Sequence, residues 1–144
     1  MSEFERFMKQ NKAANTDVEI PVTESLTDEN GQPLLWKVRH LSTDEVERIR
    51  RECTYEKQVT GKYNQVAEMF NEELFSEKIM CEAIVYPDLR NAELQDSYGV
   101  TDPGSLLRAM VDKPGEYLRL QNEITTMNGF GESFDEKATK VKNS

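Results

Sequence analysis

The second half of the chain repeats short apolar groups bounded by residues that start and stop helices. Asn91 and Asp102-Pro103 precede two of these groups as cap residues, and Gly99 and Gly129 stand where helices end. The apolar residues between them recur at helical spacing and are too numerous to remain in water. This region therefore predicts three short helices, spanning 92–98, the residues after Pro103, and about 114–128.

The first half instead shows strict alternation between residues 17 and 41. Val18, Ile20 and Val22 alternate with polar residues or proline, and the same period of two recurs around Trp36. The turn-forming residues DENGQ separate the two groups, which predicts a β-hairpin. The position of Trp36 on the apolar face predicts that its ring joins the hairpin to the helices.

Two registers are compatible with this hairpin. A two-residue loop at Asn30-Gly31 would put Val22 and Trp36 on opposite faces. A three-residue loop over 29–31 puts the apolar residues on one face and gives Gly31 the left-handed conformation such loops require, so it is preferred. The preferred register pairs Val22 with Val38 and Leu26 with Leu34.

The N-terminal residues 3–12 predict two or three helical turns with Phe4, Phe7 and Met8 on one side. Such a helix either lies on the surface of its own domain or forms an arm for a neighbouring protein. The pattern does not favour one over the other.

A capping box marks the clearest helix start, because Glu45 follows Ser42 by three residues. The predicted helix, 42–53, buries Val46, Ile49 and Cys53. Its three arginines resemble a basic patch, but favourable pairs four residues apart predict an internally neutralised face instead. These pairs are Asp44 with Arg48 and Glu47 with Arg51.

Residues 54–63 contain Thr60-Gly61 and predict a loop. Asn64 is then the expected cap of a long helix, Gln65–Val85, which ends before Pro87. The apolar stripe of this helix is broad, which predicts contacts on more than one side. The segment 64–98 also holds eight acidic residues against two basic ones, typical of a solubilising face or of a surface for a basic partner.

The composition of the chain argues against several classes of function. The chain has 144 residues, a net charge of -9 and a pI of about 4.7, which argue against nucleic-acid partners and anionic membrane surfaces. No apolar run could span a membrane, and the N-terminus lacks the apolar core of a signal peptide. We therefore expect a cytoplasmic protein whose two cysteines, Cys53 and Cys81, are reduced core thiols.

The residues that enzymes commonly use are sparse. His40 is the only histidine, no glycine loop suits phosphate, and the DENG turn lacks the later oxygen ligands of a calcium loop. The sequence therefore predicts a non-enzymatic protein with no catalytic residues, no metal site and no cofactor.

Together these patterns predict an α+β fold that is mainly helical, with the arm and a two-stranded hairpin packed on a bundle of about five helices. Residues 1–129 are expected to form one domain, and the polar residues 130–144 a disordered tail. The arm covers 1–16, the hairpin 17–41 and the helical bundle 42–129.

An ordered series of short sequences resembles the XkdN-like family of phage tail assembly chaperones. It runs through DENGQPLLWKVRHLSTDE and RRECT, then LRNAELQDSYGV, LLRAMV, GEYLRL and NGF. The resemblance implies a protein that binds the tape measure protein, keeps it soluble and helps the tube protein to polymerise around it. It also implies action in the host cytoplasm, absence from the mature virion, and no cofactor.

A chaperone for a helical client needs an apolar groove. The candidate residues are Leu106, Leu107, Met110, Tyr117, Leu118 and Ile124. Each of them could instead fill the core. Two other functions remain open: a structural tail or connector protein retained in the particle, and an acidic inhibitor that mimics DNA. The sequence leaves self-association open.

Overall fold

A computed structural model describes residues 3–59, 61 and 65–130 of the protein, and within them it contains five α-helices and five β-strands. The α+β class and the bundle of about five helices are confirmed. The helices are α1 (Thr43–Glu52), α2 (Glu72–Ala83), α3 (Ala92–Ser97), α4 (Pro103–Met110) and α5 (Pro114–Met127). The strands are β1 (Val18–Pro21), β2 (Leu35–Val38), β3 (Thr54–Gln58), β4 (Val66–Phe70) and β5 (Ile84–Tyr86).

The caps predicted for α1, α3 and α4 are present. The Ser42 side chain accepts a hydrogen bond from the Glu45 amide, and the Glu45 carboxylate accepts one from the Ser42 amide, which completes the capping box of α1. Asn91 and Asp102 likewise accept from amides three residues later at the starts of α3 and α4. Beyond the end of α5, Gly129 has a φ of 82°. Local side-chain chemistry therefore defines most of the helix starts.

The segment from 54 to 85 departs furthest from the sequence prediction. The predicted loop is instead a hairpin of β3 and β4, and the predicted helix Gln65–Val85 begins only at Glu72. Its observed cap is Asn71, which accepts from the Leu74 amide, whereas the expected cap, Asn64, lies outside the described residues. A four-residue apolar spacing fits both a helical turn and one face of a strand, and here cross-strand pairing prevails.

The end of α2 also differs from the prediction. The residues before Pro87 leave the helix and form β5, which pairs with β2 through Val38 opposite Ile84. The Arg39 amide donates to the Ala83 carbonyl at 2.8 Å and continues this contact. The predicted two-stranded hairpin is thus part of a three-stranded sheet in the order β1-β2-β5, with β2 in the centre.

The register of the first hairpin is correct near the turn and wrong in β1. The Leu34 amide donates to the Leu26 carbonyl at 2.9 Å, and Gly31 has a φ of 78°, as the three-residue loop requires. However, Val38 pairs with Val18 instead of Val22. The two candidate partners are four residues apart, so the same side chains still face the helices.

Glu116 on α5 binds the residues that follow β1, at the point where the chain has left the ladder. Its carboxylate accepts from the Thr23 hydroxyl at 2.7 Å and from the Glu24 amide at 3.0 Å. The Glu24 amide, followed by the Thr23 hydroxyl, lowers the pKa of Glu116. These bonds connect the hairpin to α5 where Val22 enters the core.

The N-terminal segment forms two 3-10 turns, Glu5–Phe7 and Lys9–Asn11, instead of a continuous helix. Phe7 is 84% exposed, and Met8 is also exposed. These residues therefore do not form a helix that is buried against its own domain. Their use as an arm stays a prediction.

Two arginines of α1 are paired, but neither predicted pair is formed, since Glu47 contacts Arg50 instead of Arg51. Arg48 lies 3.4 Å from Glu52 and 3.5 Å from Glu82, and Arg50 lies 3.6 Å from Glu47. The expected pairing of Arg48 with Asp44 is replaced because α2 brings Glu82 alongside α1. The outcome is a neutralised face rather than a free basic patch.

Arg39 and Glu45 form the closest ion pair between the sheet and α1. Two hydrogen bonds of 2.7 and 3.1 Å join them, and Glu82 lies 3.4 Å from the same guanidinium. The Arg39 bonds, followed by the Ser42 amide, lower the pKa of Glu45 from 4.5 to about 2. The folded state therefore favours the ionised carboxylate.

Glu45→Gln is expected to reduce stability at neutral pH by about 1–2 kcal/mol, a value discounted for partial exposure. A lowered folded-state pKa contributes stability that is complete above the unfolded value and is lost as pH falls. The deficit of the variant should therefore shrink as pH falls from about 4.5 towards 2. Urea unfolding across this range measures it, with Asp44→Asn as an exposed control that should track the parent chain.

The core lies between the three-stranded sheet and the helices, and α2 contacts α1, α4 and α5, as its broad apolar stripe predicts. Cys53 and Cys81 are buried free thiols, in agreement with the prediction, and burial raises the pKa of Cys81 to about 12. The most deeply buried side chains are Trp36, Val38, Met80, Ala83, Leu89, Leu106, Leu107 and Ile124.

Phe130 donates its amide to the Thr125 carbonyl at 2.9 Å, directly after α5. The rest of the predicted disordered tail lies outside the described residues, so its disorder stays a prediction, as does the single-domain boundary at 129. No helix in the described part of the chain combines the length and apolar character needed to cross a membrane.

Candidate protein-binding groove

An open groove of about 850 Å³ lies between α2, α5 and the turn that joins α4 to α5. This volume falls within the usual range of ligand sites, roughly 300–1,000 Å³. Carbon atoms, including those of charged and polar side chains, contribute most of its accessible lining. It is lined by Glu72, Glu73, Ser76 and Glu77 from α2, by Arg108, Val111 and Asp112 at the end of α4, and by Pro114, Tyr117, Leu118 and Gln121 from α5.

Two polar contacts hold the walls of the groove together. The Arg108 guanidinium donates to the Glu77 carboxylate at 2.6 Å and joins α4 to α2. The Gln121 amide donates to the Ser76 hydroxyl at 2.8 Å and joins α5 to α2. The three helices therefore present a preformed surface.

The six residues predicted as a binding groove separate into two groups. Leu118 is 57% exposed and Tyr117 is half-buried, and both line the groove. The other four lie in the interior and support it from below. These four are Leu106, Leu107, Met110 and Ile124.

The wall that α2 contributes is absent from the residues predicted for the groove. The predicted helix starts at Gln65, several residues before α2, which places Glu72 and Glu73 in mid-helix rather than in the first turn. The signal was available, because Asn71 followed by two acidic residues is a typical helix start. Asp112 had no comparable signal, since its role depends on how α4 and α5 are joined.

Gly104 permits the close contact between α2 and α4 beside this wall. A Cβ at Gly104 would overlap the carboxylate of Glu77, which also binds Arg108. We expect Gly104→Ala to displace Glu77 and to destabilise the protein by about 1 kcal/mol, since the displaced group ends a flexible side chain. Urea unfolding measures this change.

Gly115 provides the matched control. Like Gly104, it follows a proline at the start of a helix, but no atom lies within 4 Å of its Cβ position. Gly115→Ala should therefore be neutral or stabilising by up to about 1 kcal/mol. Equal effects at both glycines would contradict the steric role of Glu77, and adding Glu77→Ala should relieve the strain only in Gly104→Ala.

The described residues contain no set of three or more His, Cys, Asp and Glu side chains that could hold a metal ion. His40 lies just after β2, and its buried Nδ1 finds no hydrogen-bond partner within the described ranges. Another cavity, of about 320 Å³, is lined in part by charged residues that largely pair with one another, such as Glu82 with Arg90. The groove beside Leu118 is therefore the best-formed candidate site.

Comparison with known proteins identifies the family. The sequence pattern of the phage XkdN-like tail assembly chaperone proteins matches residues 4–142, which is nearly the whole chain. The chain belongs to this family. Tail assembly chaperones have a non-catalytic role. Family membership also implies partners among the proteins of a phage tail.

Two relatives from Bacillus subtilis (strain 168) cover the same region. XkdN, described as a protein of the phage-like element PBSX, is 23% identical over 137 residues, which are 95% of this chain and 91% of XkdN. YqbN is 25% identical with the same coverage. The crystal structure of YqbN has a TM-score of 0.73 at 22% identity and covers 91% of this chain and 99% of its own. This structural similarity supports the fold described above for this protein.

Proposed function

We propose that this protein binds the tape measure protein of a phage tail and keeps it soluble during tail morphogenesis. The observation that carries the proposal is a preformed apolar groove, with exposed Leu118 on it, in a chain of the tail assembly chaperone family. A groove between helices suits an amphipathic helix, which places its apolar face against the groove floor.

The surface charge supports the same role. A net charge of -9 keeps the chain apart from other copies of itself, so a complex with an apolar client can stay dispersed. Binding that covers the apolar face of the client removes the surface through which client molecules would aggregate. The protein would act in the host cytoplasm, could also contact the tail tube protein, and would be absent from the mature virion.

A second function is favoured by the N-terminal segment. Phe7, at 84% exposure, and Met8 form an apolar surface that a permanent partner could cover. The alternative is accordingly a structural tail or connector protein, retained in the particle through this arm and the β1–β2 hairpin.

Co-expression with the tape measure protein of the same phage or phage-like element tests both functions. The chaperone function predicts that the tape measure protein becomes soluble and co-purifies, and that purified particles lack this chain. If the tape measure protein stays insoluble and unbound while particles contain this chain, the structural function replaces it.

A further inference from the structure

The rim of the groove is acidic and largely unpaired. Among the residues that the structure describes, four carboxylates line it against one cation, Arg108, which is already bound to Glu77. The other three, Glu72, Glu73 and Asp112, are exposed and form no ion pair with the described residues. The rim therefore carries negative charge beside an apolar floor.

Two cations close to the rim form no ion pair with it. Lys113 follows Asp112 in the same turn but does not line the groove, and Arg119 is next to Leu118 in α5. Neither appears in an ion pair among the described residues. The described lining therefore keeps four carboxylates against one guanidinium.

We propose that the groove selects an amphipathic helix whose apolar face is flanked by lysine or arginine, and this rests on the proposed function. The apolar floor around Leu118 covers the hydrophobic face of the helix, while its cations meet the three unpaired carboxylates. An acidic helix of equal hydrophobicity is repelled. A second copy of this chain carries the same net charge of -9 and is disfavoured for the same reason.

Three synthetic helical peptides test this selection. They share one apolar face and differ only in flanking residues, which are lysine, glutamine or glutamate. Fluorescence anisotropy with the full chain should give tightest binding for the lysine peptide, about tenfold tighter than for the glutamate peptide at low salt. The preference should fall as salt rises from about 0.05 M to about 0.5 M.

Charge reversal locates the effect. Glu72→Lys with Glu73→Lys should remove the preference for lysine. The matched control is Asp44→Lys with Glu93→Lys, because these acids also lie in the first turns of helices, without ion pairs in the described regions, and change the net charge equally. This control variant should still bind the lysine peptide more tightly than the glutamate peptide. Equal losses in both variants would overturn the proposal, since net charge alone would then explain it.

The outcomes separate this inference from the chaperone function. Equal affinity for all three peptides, with the tape measure protein still competing for the groove, overturns the charge selection alone. A preserved lysine preference without any binding of the tape measure protein overturns the chaperone function alone. If the chain sediments as a dimer that Leu118→Glu dissociates, a second copy occupies the groove and the proposed occupant is wrong.

Discussion

Replacing Trp36 with alanine is expected to lower the free energy of unfolding by about 3–5 kcal/mol. The Trp36 side chain is 1% exposed, and it lies on β2, the central strand of the three-stranded sheet. Truncation would leave a cavity where the sheet meets the helices. Because Trp36 is the only tryptophan, circular dichroism rather than intrinsic fluorescence should follow the urea unfolding.

Leu35 supplies the control for this substitution, since it precedes Trp36 in the same strand and is 51% exposed. Leu35→Ala should change stability by no more than about 0.5 kcal/mol, as is usual for surface sites. If Trp36→Ala also changed stability by no more than about 0.5 kcal/mol, the ring would not join the sheet to the helices.

Helix ends were predictable because their causes are local. Ser42 with Glu45, Asn91, and Asp102 with Pro103 each satisfy exposed backbone amides within one helical turn, so the sequence alone contains both partners. The same holds for Gly31 in the hairpin turn, where a positive φ is required. Such elements do not depend on the rest of the fold.

The misassigned strands depend on distant partners. Val66 and Phe70 fit a helical stripe, but they pair with Gln58 and Thr54 in a hairpin. Ile84 leaves α2 to pair with Val38, which lies more than forty residues earlier in the chain. Periodicity within one segment carries no information about a partner strand elsewhere in the chain. The pattern therefore fits a helix and a strand equally well.

The candidate site could be predicted from the sequence only in part. Apolar periodicity selected Leu107 and Leu118 together, although one is fully buried and the other is 57% exposed. What separates them is the packing of α2 against α4 and α5, which covers one row of side chains and leaves the next row open. Burial of Leu107 also makes it unsuitable for a binding test, because its substitution would unfold the core.

Leu118→Glu is expected to abolish most client binding without unfolding the protein. Burying a leucine side chain contributes about 1.5–3 kcal/mol to an interface, so its loss should weaken binding roughly tenfold to hundredfold. The introduced carboxylate must also be desolvated against an apolar client, which increases the effect. Titration with the co-purified tape measure protein measures affinity, and urea unfolding should show a change of no more than about 0.5 kcal/mol.

Leu35→Glu is the control for this variant, because Leu35 is similarly exposed but does not line the groove. Both substitutions add one negative charge and remove one exposed leucine, so they differ only in position. If Leu118→Glu alone loses the client, the groove between α2 and α5 is the binding surface. If both variants bind as tightly as the parent chain, the client binds elsewhere, and the exposed N-terminal arm around Phe7 becomes the next surface to test.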